Sequence, residues 1–499
     1  DSPACPRDPP MPHNAQHPHP PKNSTTAAKP HAATIAIVGG GYSGALTAVH
    51  LLRHHQALRP LKVLLIEPRL HAARGLAYSI WDDSMLLNVP AGNMSALADD
   101  PAHFLHYCRA LDPSLNGGSF VSRRMYGDYL QSVLAQAAQA APGGLHCIHS
   151  EVQAVYPQGE KGGFELALAN GEMLYADQVV LSFGFQGPQP LPFAQPLAHS
   201  PCYLANPWNY KAMDMLTTSG PIALIGTGHT AIDALFRLTS VDPNREVVLL
   251  SRHGLLPKAH RTLAQAPVPT GFPSYLQAVP ATALAFVRAL RHEIARRQQA
   301  GHNWRDVLNE LRPHTQAIWQ AWPLAERRRF LLRLRPWWDI HRHRLAPVAA
   351  ARLAAQLHTG RVQVRAGSIV QMAPHAGGVR LTLRERGSGT LQSLQVAAVV
   401  NCTGPDYDIR RATSPLLTQL REAGLITGDA LQLGLEVDAD YGVVGRAGQA
   451  TPGLYYVGPM LRARLWEAIA IPELRTHTRQ LADKILHTLH HAPQHSTHP

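Results

Sequence analysis

Two strand, glycine-turn, helix, strand patterns about 187 residues apart, with a helical, arginine-rich stretch behind the second, predict an α/β protein. The expected architecture is two Rossmann-like dinucleotide-binding domains, one inserted in the other, with an extra helical insertion. A chain of 499 residues has room for this, at about 100–200 residues per domain.

Residues 1–33 come first. Nine prolines fall within the first 30 residues, with almost no large apolar side chains, so a disordered Pro/His-rich tail is expected. Regular structure should begin with Ile35-Ala36-Ile37-Val38, which runs into Gly39-Gly40-Gly41-Tyr42-Ser43-Gly44 and a helical pattern. This is G-x-G-x-x-G between a strand and a helix: Gly39 for the tight turn, Gly41 for close approach of a pyrophosphate, and Gly44 for helix–sheet packing. Tyr42 and Ser43 lie at the helix N-terminus, whose unpaired N–H groups attract phosphate. The second strand, Lys62 to Ile66, ends in Glu67-Pro68. A carboxylate at Glu67, 23 residues after Gly44, suits the two ribose hydroxyls of an adenosine.

The second unit repeats the design. Ile222 to Ile225 is a strand, Gly226-Thr227-Gly228-His229-Thr230-Ala231 is the G-x-G-x-x-A variant, and Val247 to Leu250 ends in Ser251-Arg252 rather than an acid. A guanidinium at Arg252 can pair with a 2′-phosphate, which favours NADPH, and Lys258, His260 and Arg261 extend the basic patch. Two dinucleotide sites in one chain fit FAD at the first and NADPH delivering hydride from the second. The expected boundaries are an FAD-binding part at 34–210, an NAD(P)-binding domain at 218–395 with the helical insertion at 275–358, the rest of the FAD domain at 396–489, and a disordered tail at 490–499.

Between Ala281 and Gly360 lie 14 Arg, no Lys and 5 acids, or +9 of the chain's net +12, and five of its eight Trp. Asn303 and Asp306 resemble a capping box. Nucleic acid is not expected, because the aromatics sit in apolar periodic helices and no recognition module is present. Five scattered cysteines form no C-x-x-C, which excludes a zinc ribbon and a dithiol redox motif, and no metal site is expected. No stretch reaches 18 uninterrupted apolar residues, so no membrane span is expected. Residues 1–33 lack the apolar run of a signal peptide, and a cytoplasmic setting fits best.

With these residues placed, the chain resembles the two-dinucleotide-binding-domain flavoproteins, in particular a bacterial FAD/NAD(P)-binding family related to the N-hydroxylating and Baeyer–Villiger flavin monooxygenases. Gly75 to Tyr78 and Leu87-Asn88-Val89-Pro90-Ala91 look like the family's segments along the isoalloxazine. Arg123-Arg124-Met125-Tyr126-Gly127-Asp128-Tyr129 is similar to an element near the FAD, and Arg124 and Tyr126 are its expected contacts. Ser182-Phe183-Gly184 and Asn401-Cys402-Thr403-Gly404-Pro405 resemble the crossings between the domains. Gly453 to Pro459 resembles the last flavin fingerprint, in which Gly458 is followed by Pro459 where many relatives carry an Asp for the ribitol. Ile471-Pro472-Glu473-Leu474 looks like the start of a helix whose N-terminus faces the flavin.

The resemblance implies an enzyme, a monooxygenase reduced by NADPH that uses molecular oxygen to hydroxylate a small molecule, such as an amine or amino acid. Its protein shields the flavin's oxygen adduct rather than working as an acid or base. Asn88 is the candidate polar neighbour of the flavin ring. Arg335 to Arg344 are candidates for receiving an anionic substrate or cofactor phosphates. Two alternatives stay open: a dehydrogenase passing electrons to another acceptor, and a flavin-holding sensor without turnover.

Overall fold

The computed structural model describes residues 32–55, 60–80, 82–159, 162–216, 219–262 and 271–491. The expected N-terminal tail lies almost wholly outside these residues, as does the end of the C-terminal one.

Residues 33–38 are buried on both faces, the pattern of a central parallel strand. They stand in a six-stranded sheet whose order is Gly442–Val444, Ala450–Tyr456, Gln178–Leu181, Ala33–Val38, Leu61–Ile66 and Leu145–Ile148. All neighbours are parallel except the first pair. Helices Tyr42–His54, Arg123–Ala140 and Ile471–His491 cover the sheet through one apolar core.

The second sheet has seven strands, in the order Leu391–Val396, Gly378–Glu385, Val362–His375, Val247–Ser251, Ile222–Ile225, Ala398–Asn401 and Tyr203–Leu204. Its strands come from between the two halves of the first sheet, so the second nucleotide-binding unit is inserted in the first. Two expected boundaries move. Ala398–Asn401 pairs with Ile222–Ile225 and with Tyr203–Leu204, so residues 203–204 and 396–401 belong to the second sheet rather than to the flanking domain. The C-terminal helix also runs to His491, past the expected end of structure at residue 489.

Between Val247–Ser251 and Val362–His375 the described residues form six α-helices. The last, Pro347–His358, packs through Leu353 into the core of the second sheet, so it is the crossover helix of that unit and not part of the insertion. The others, within residues 283–342, surround an aromatic core of Phe286, Trp319, Trp322 and Phe330 that also takes in Trp466. Trp319, Trp322 and Trp466 are therefore core, with Trp319 stacked on Trp466 at 4.6 Å between centroids, whereas Trp337 is exposed. Asn303 caps Trp304–Leu311 by accepting from the Arg305 N–H, but the Asp306 carboxylate turns away to bind Arg261, so the capping box is half formed.

Candidate functional site

The first glycine turn has the backbone its sequence requires. Gly39 has φ +104°, and a Cβ on Gly44 would fall 1.9 Å from the Gly39 carbonyl oxygen, so neither position accepts a side chain. Gly41 is the N-cap of Tyr42–His54, with no side-chain cap and no acid in the first turn, which leaves the helix N-terminus to an anion. Glu67 is buried beside it and accepts from the Gly40 N–H at 2.8 Å and from Arg69 Nε at 2.8 Å. Burial alone would raise its pKa, but Arg69 and the Gly40 amide outweigh that and keep it below the ordinary carboxylate range. An uncapped helix N-terminus beside a buried carboxylate fits the diphosphate and ribose of FAD.

Tyr42 and Tyr126 are buried, and neither side chain belongs to the turn; Tyr126 packs edge-on against Tyr78 at 4.8 Å. Ser43 is also buried, its carbonyl accepting from the Thr47 hydroxyl. Pro68 is exposed. A Cβ on Gly184 or Gly404 would meet nothing within 4 Å, so both crossings border open space. Gly458 has φ +147°, and a Cβ there would meet the Tyr456 hydroxyl at 2.8 Å.

The second turn repeats the geometry. Gly226 has φ +128°, with a virtual Cβ 2.4 Å from the Cys402 carbonyl oxygen. Gly228 is the uncapped N-cap of His229–Val241, and a Cβ there meets nothing within 4 Å. Space beside an open helix N-terminus fits the diphosphate of a nicotinamide cofactor. Thr230 stands in the first helical turn and Arg252 is exposed at the end of Val247–Ser251.

Several neighbours of this turn do other work. His229 Nε2 lies 3.0 Å from the His343 carbonyl, and burial holds the ring at about 4, hence neutral. The Ser251 hydroxyl oxygen accepts from the Gly254 N–H at 2.9 Å and from the Thr227 hydroxyl at 3.0 Å, which leaves its own proton to donate. Arg261 pairs with Asp306, and His260 Nε2 bonds the Asn88 carbonyl at 3.0 Å, so neither joins Arg252 in a basic patch.

A cavity of about 220 Å³ lies where the first domain meets the second and the helical insertion. Tyr78, Asn88, Val89 and Ile471 line it from one side; His260, Asn309 and Arg344 line it from the other. The expected Asn88 and Val89 are therefore at the junction. Arg124 is not: it lies on the outside with Asp83, while its neighbour Arg123 lines the cavity and pairs with Asp233 at 2.8 Å. Adjacent helical residues point about 100° apart, so only one of the two can face inward.

The C-terminal helix starts where the resemblance places it, at Ile471, which lines the cavity. The Glu473 and Leu474 amides, however, already donate to the Ala470 carbonyl, and the Leu474 side chain is in the core. Neither residue has an amide to offer a flavin. Instead the Glu473 carboxylate grips Arg312 through two bonds of 2.8 and 2.9 Å.

Sequence reasoning missed Glu467 as a site residue. It is buried at φ +73°, an uncommon conformation for a side chain of its size. It accepts from Trp338 Nε1 at 2.8 Å and faces Arg342 at 3.4 Å and His343 at 3.6 Å. Burial would raise its pKa, yet Arg342, His343, Trp338 and Arg462 hold it at about 2. Trp338, Arg342 and His343 are more than 100 residues away in sequence, so no local spacing reveals their part of the cluster.

Two glycine turns, each at the open N-terminus of a helix beside its own sheet, are the arrangement of two dinucleotide sites. Residues 36–186 match a family model described as FAD-NAD(P)-binding. No curated protein matches the chain. Among solved structures, the fold is similar to the reduced form of ornithine hydroxylase PvdA from Pseudomonas aeruginosa, with TM-score 0.61, 19% identity, and coverage of 92% of this chain and 100% of that one. It is also similar to the ornithine N-hydroxylase KtzI of Kutzneria sp. 744, in a structure whose name includes reduced FAD, NADP+ and L-ornithine, with TM-score 0.62, 16% identity, and coverage of 92% and 100%. L-lysine 6-monooxygenase from Pseudomonas syringae gives 0.61, 18%, 92% and 99%. At these identities the likeness establishes the fold.

Proposed function

We propose that the protein is an FAD-dependent oxidoreductase reduced by NADPH, a monooxygenase that hydroxylates a small amine or amino-acid-like molecule. The observation that carries this reading is the cavity at the junction, lined both by the 77–90 segment of the first nucleotide-binding unit and by residues around the second. Solved structures that share the fold over nearly their whole length include ones named as ornithine hydroxylases, a lysine 6-monooxygenase and a cadaverine monooxygenase, and others named as thioredoxin reductases.

Bound FAD would supply the redox chemistry between NADPH and oxygen. The chain's own residues bind and orient. Gly39, Gly41 and Gly44 shape the first turn so that the helix N-terminus holds a diphosphate, and Glu67 takes the ribose. Gly226 and Gly228 do the same for NADPH, with Arg252 at its 2′-phosphate. His260 fixes the Asn88 main chain from below, which orients Asn88 as a polar wall of the cavity. Behind the lining, Glu467 accepts from Trp338 and faces Arg342, which holds Arg342 in place as part of the cavity wall.

No helix among the described residues is long and apolar enough to cross a membrane, and an NADPH-using enzyme with free Cys108 and Cys402 fits the cytoplasm. The test is direct. Purified protein should carry a flavin spectrum, NADPH should bleach it without air faster than NADH does, and an amine or amino acid should stimulate NADPH oxidation in air. Absence of bound flavin after reconstitution would end the proposal.

A further inference from the structure

The junction cavity is lined by four arginines, Arg123, Arg312, Arg342 and Arg344, and no carboxylate residue is among its lining. The acids that serve the first three stand behind them. Asp233 pairs with Arg123, Glu473 with Arg312, and Glu467 and Glu473 with Arg342.

Arg344 differs. It is only 5% exposed, yet among the described residues its hydrogen-bonding side-chain partner is the neutral Asn309 carbonyl oxygen at 2.7 Å, and its buried Nε has no acceptor. Trp304 lies 5.8 Å from its guanidinium carbon and Arg305 is stacked on the same ring at 4.4 Å. Burial and the neighbouring Arg342, Arg305 and Arg312 push its pKa down to about 10, the response of a cation whose counter-charge is absent. The imidazoles lining the cavity do not change the sign: burial lowers both His260 and His343. Buried charges are ordinarily paired, because an unpaired one loses its hydration without recompense. A guanidinium also offers a planar fork matched to carboxylate or phosphate.

We propose that the cavity is a receptor for an oxyanion, with Arg344 as its seat. Resting on the monooxygenase reading above, this narrows the substrate class: the small molecule carries a negatively charged group in addition to the nitrogen that is hydroxylated, and a plain diamine is not a good ligand. The same oxyanion chemistry has a second source, the phosphates of NADPH, and the experiment separates the two.

The protein is loaded with FAD and titrated with succinate, with cadaverine and with NADP+, following the flavin absorption spectrum and the melting temperature. The same titrations are run on Arg344→Met and Arg344→Lys. Succinate should bind and cadaverine should not. Arg344→Met should weaken succinate or NADP+ at least tenfold, with Arg344→Lys in between because it keeps the charge and loses the fork. If succinate is the ligand weakened and saturating NADP+ does not displace it, the seat holds the substrate's carboxylate. If NADP+ is weakened and competes with succinate, the seat holds a cofactor phosphate.

Without ligand, Arg344→Met should melt no lower than the parent, since it removes an uncompensated buried cation. A drop of many degrees would show that the arginine is a structural strut and overturn the proposal. So would affinities for succinate and NADP+ that stay within twofold in the variant, or cadaverine binding as tightly as succinate. Should the protein hold no flavin, the oxidoreductase reading fails by itself, while melting of the apoprotein with succinate still decides whether the oxyanion seat exists.

Discussion

Replacing Gly228 by alanine separates nucleotide binding from folding. Gly228 has φ −85° and ψ −169°, extended backbone that any residue adopts, and its virtual Cβ meets nothing within 4 Å. The fold therefore tolerates the methyl group, and reduced freedom of the unfolded chain should stabilise it by about 0.4–1 kcal/mol. A diphosphate on the N-terminus of His229–Val241 would occupy that same space, since the glycine there serves close approach of backbone to phosphate. Each hydrogen bond to a charged group contributes about 1.5–3 kcal/mol. Displacing the phosphate from a single N–H should thus weaken NADPH by about 10- to 150-fold. The assay is anaerobic rapid mixing of FAD-loaded protein with NADPH, taking the dissociation constant from the concentration dependence of flavin reduction, with a melting curve on the same sample. An unchanged constant in a protein that melts no lower than the parent would refute the placement of NADPH at this turn.

Three further outcomes are expected. Arg252→Ala should raise the Michaelis constant for NADPH about tenfold or more, and that for NADH far less; equal effects on both would contradict the 2′-phosphate contact. Glu467→Gln should lower stability by about 3–5 kcal/mol, because it leaves Arg342 and His343 facing a neutral group in a buried cluster, and a denaturant midpoint that scarcely moves would show that the cluster is not structural. His229 and His260 sit at about 4 against an ordinary 6.5, so the unfolded chain binds more protons between those values. Their contribution is complete above pH 6.5 and is lost as pH falls toward 4, so a denaturation series that stays flat across that window would contradict buried neutral imidazoles.

How far the sequence could be read depended on whether the determining contact was local. Both glycine turns were legible because the backbone conformation they need is written in the residue type: Gly39 and Gly226 have the positive φ that their positions demand. The insertion of one unit in the other was legible from the order of strands. Motif spacing does not tell which of two adjacent helical residues faces inward, and here Arg123 rather than the expected Arg124 lines the cavity. Ser251 and His229 occupy motif positions, and no spacing shows that the Ser251 oxygen accepts from the Gly254 amide or that His229 Nε2 turns to the His343 carbonyl. Placing a flavin contact at Leu474 overlooked the preceding turn, where Ala470 already accepts its amide hydrogen. Glu467 and Arg342 meet only through tertiary packing, and no period in the sequence signals such a pair.

The most direct test of the central claim, that the chain couples NADPH oxidation to hydroxylation of a small molecule, is turnover under oxygen-18 gas with the substrate that most stimulates NADPH consumption. Mass analysis should find one oxygen-18 atom in the product for each NADPH consumed in coupled turnover. NADPH consumption that leaves every candidate substrate unlabelled, with electrons recovered only in hydrogen peroxide or another acceptor, would contradict it.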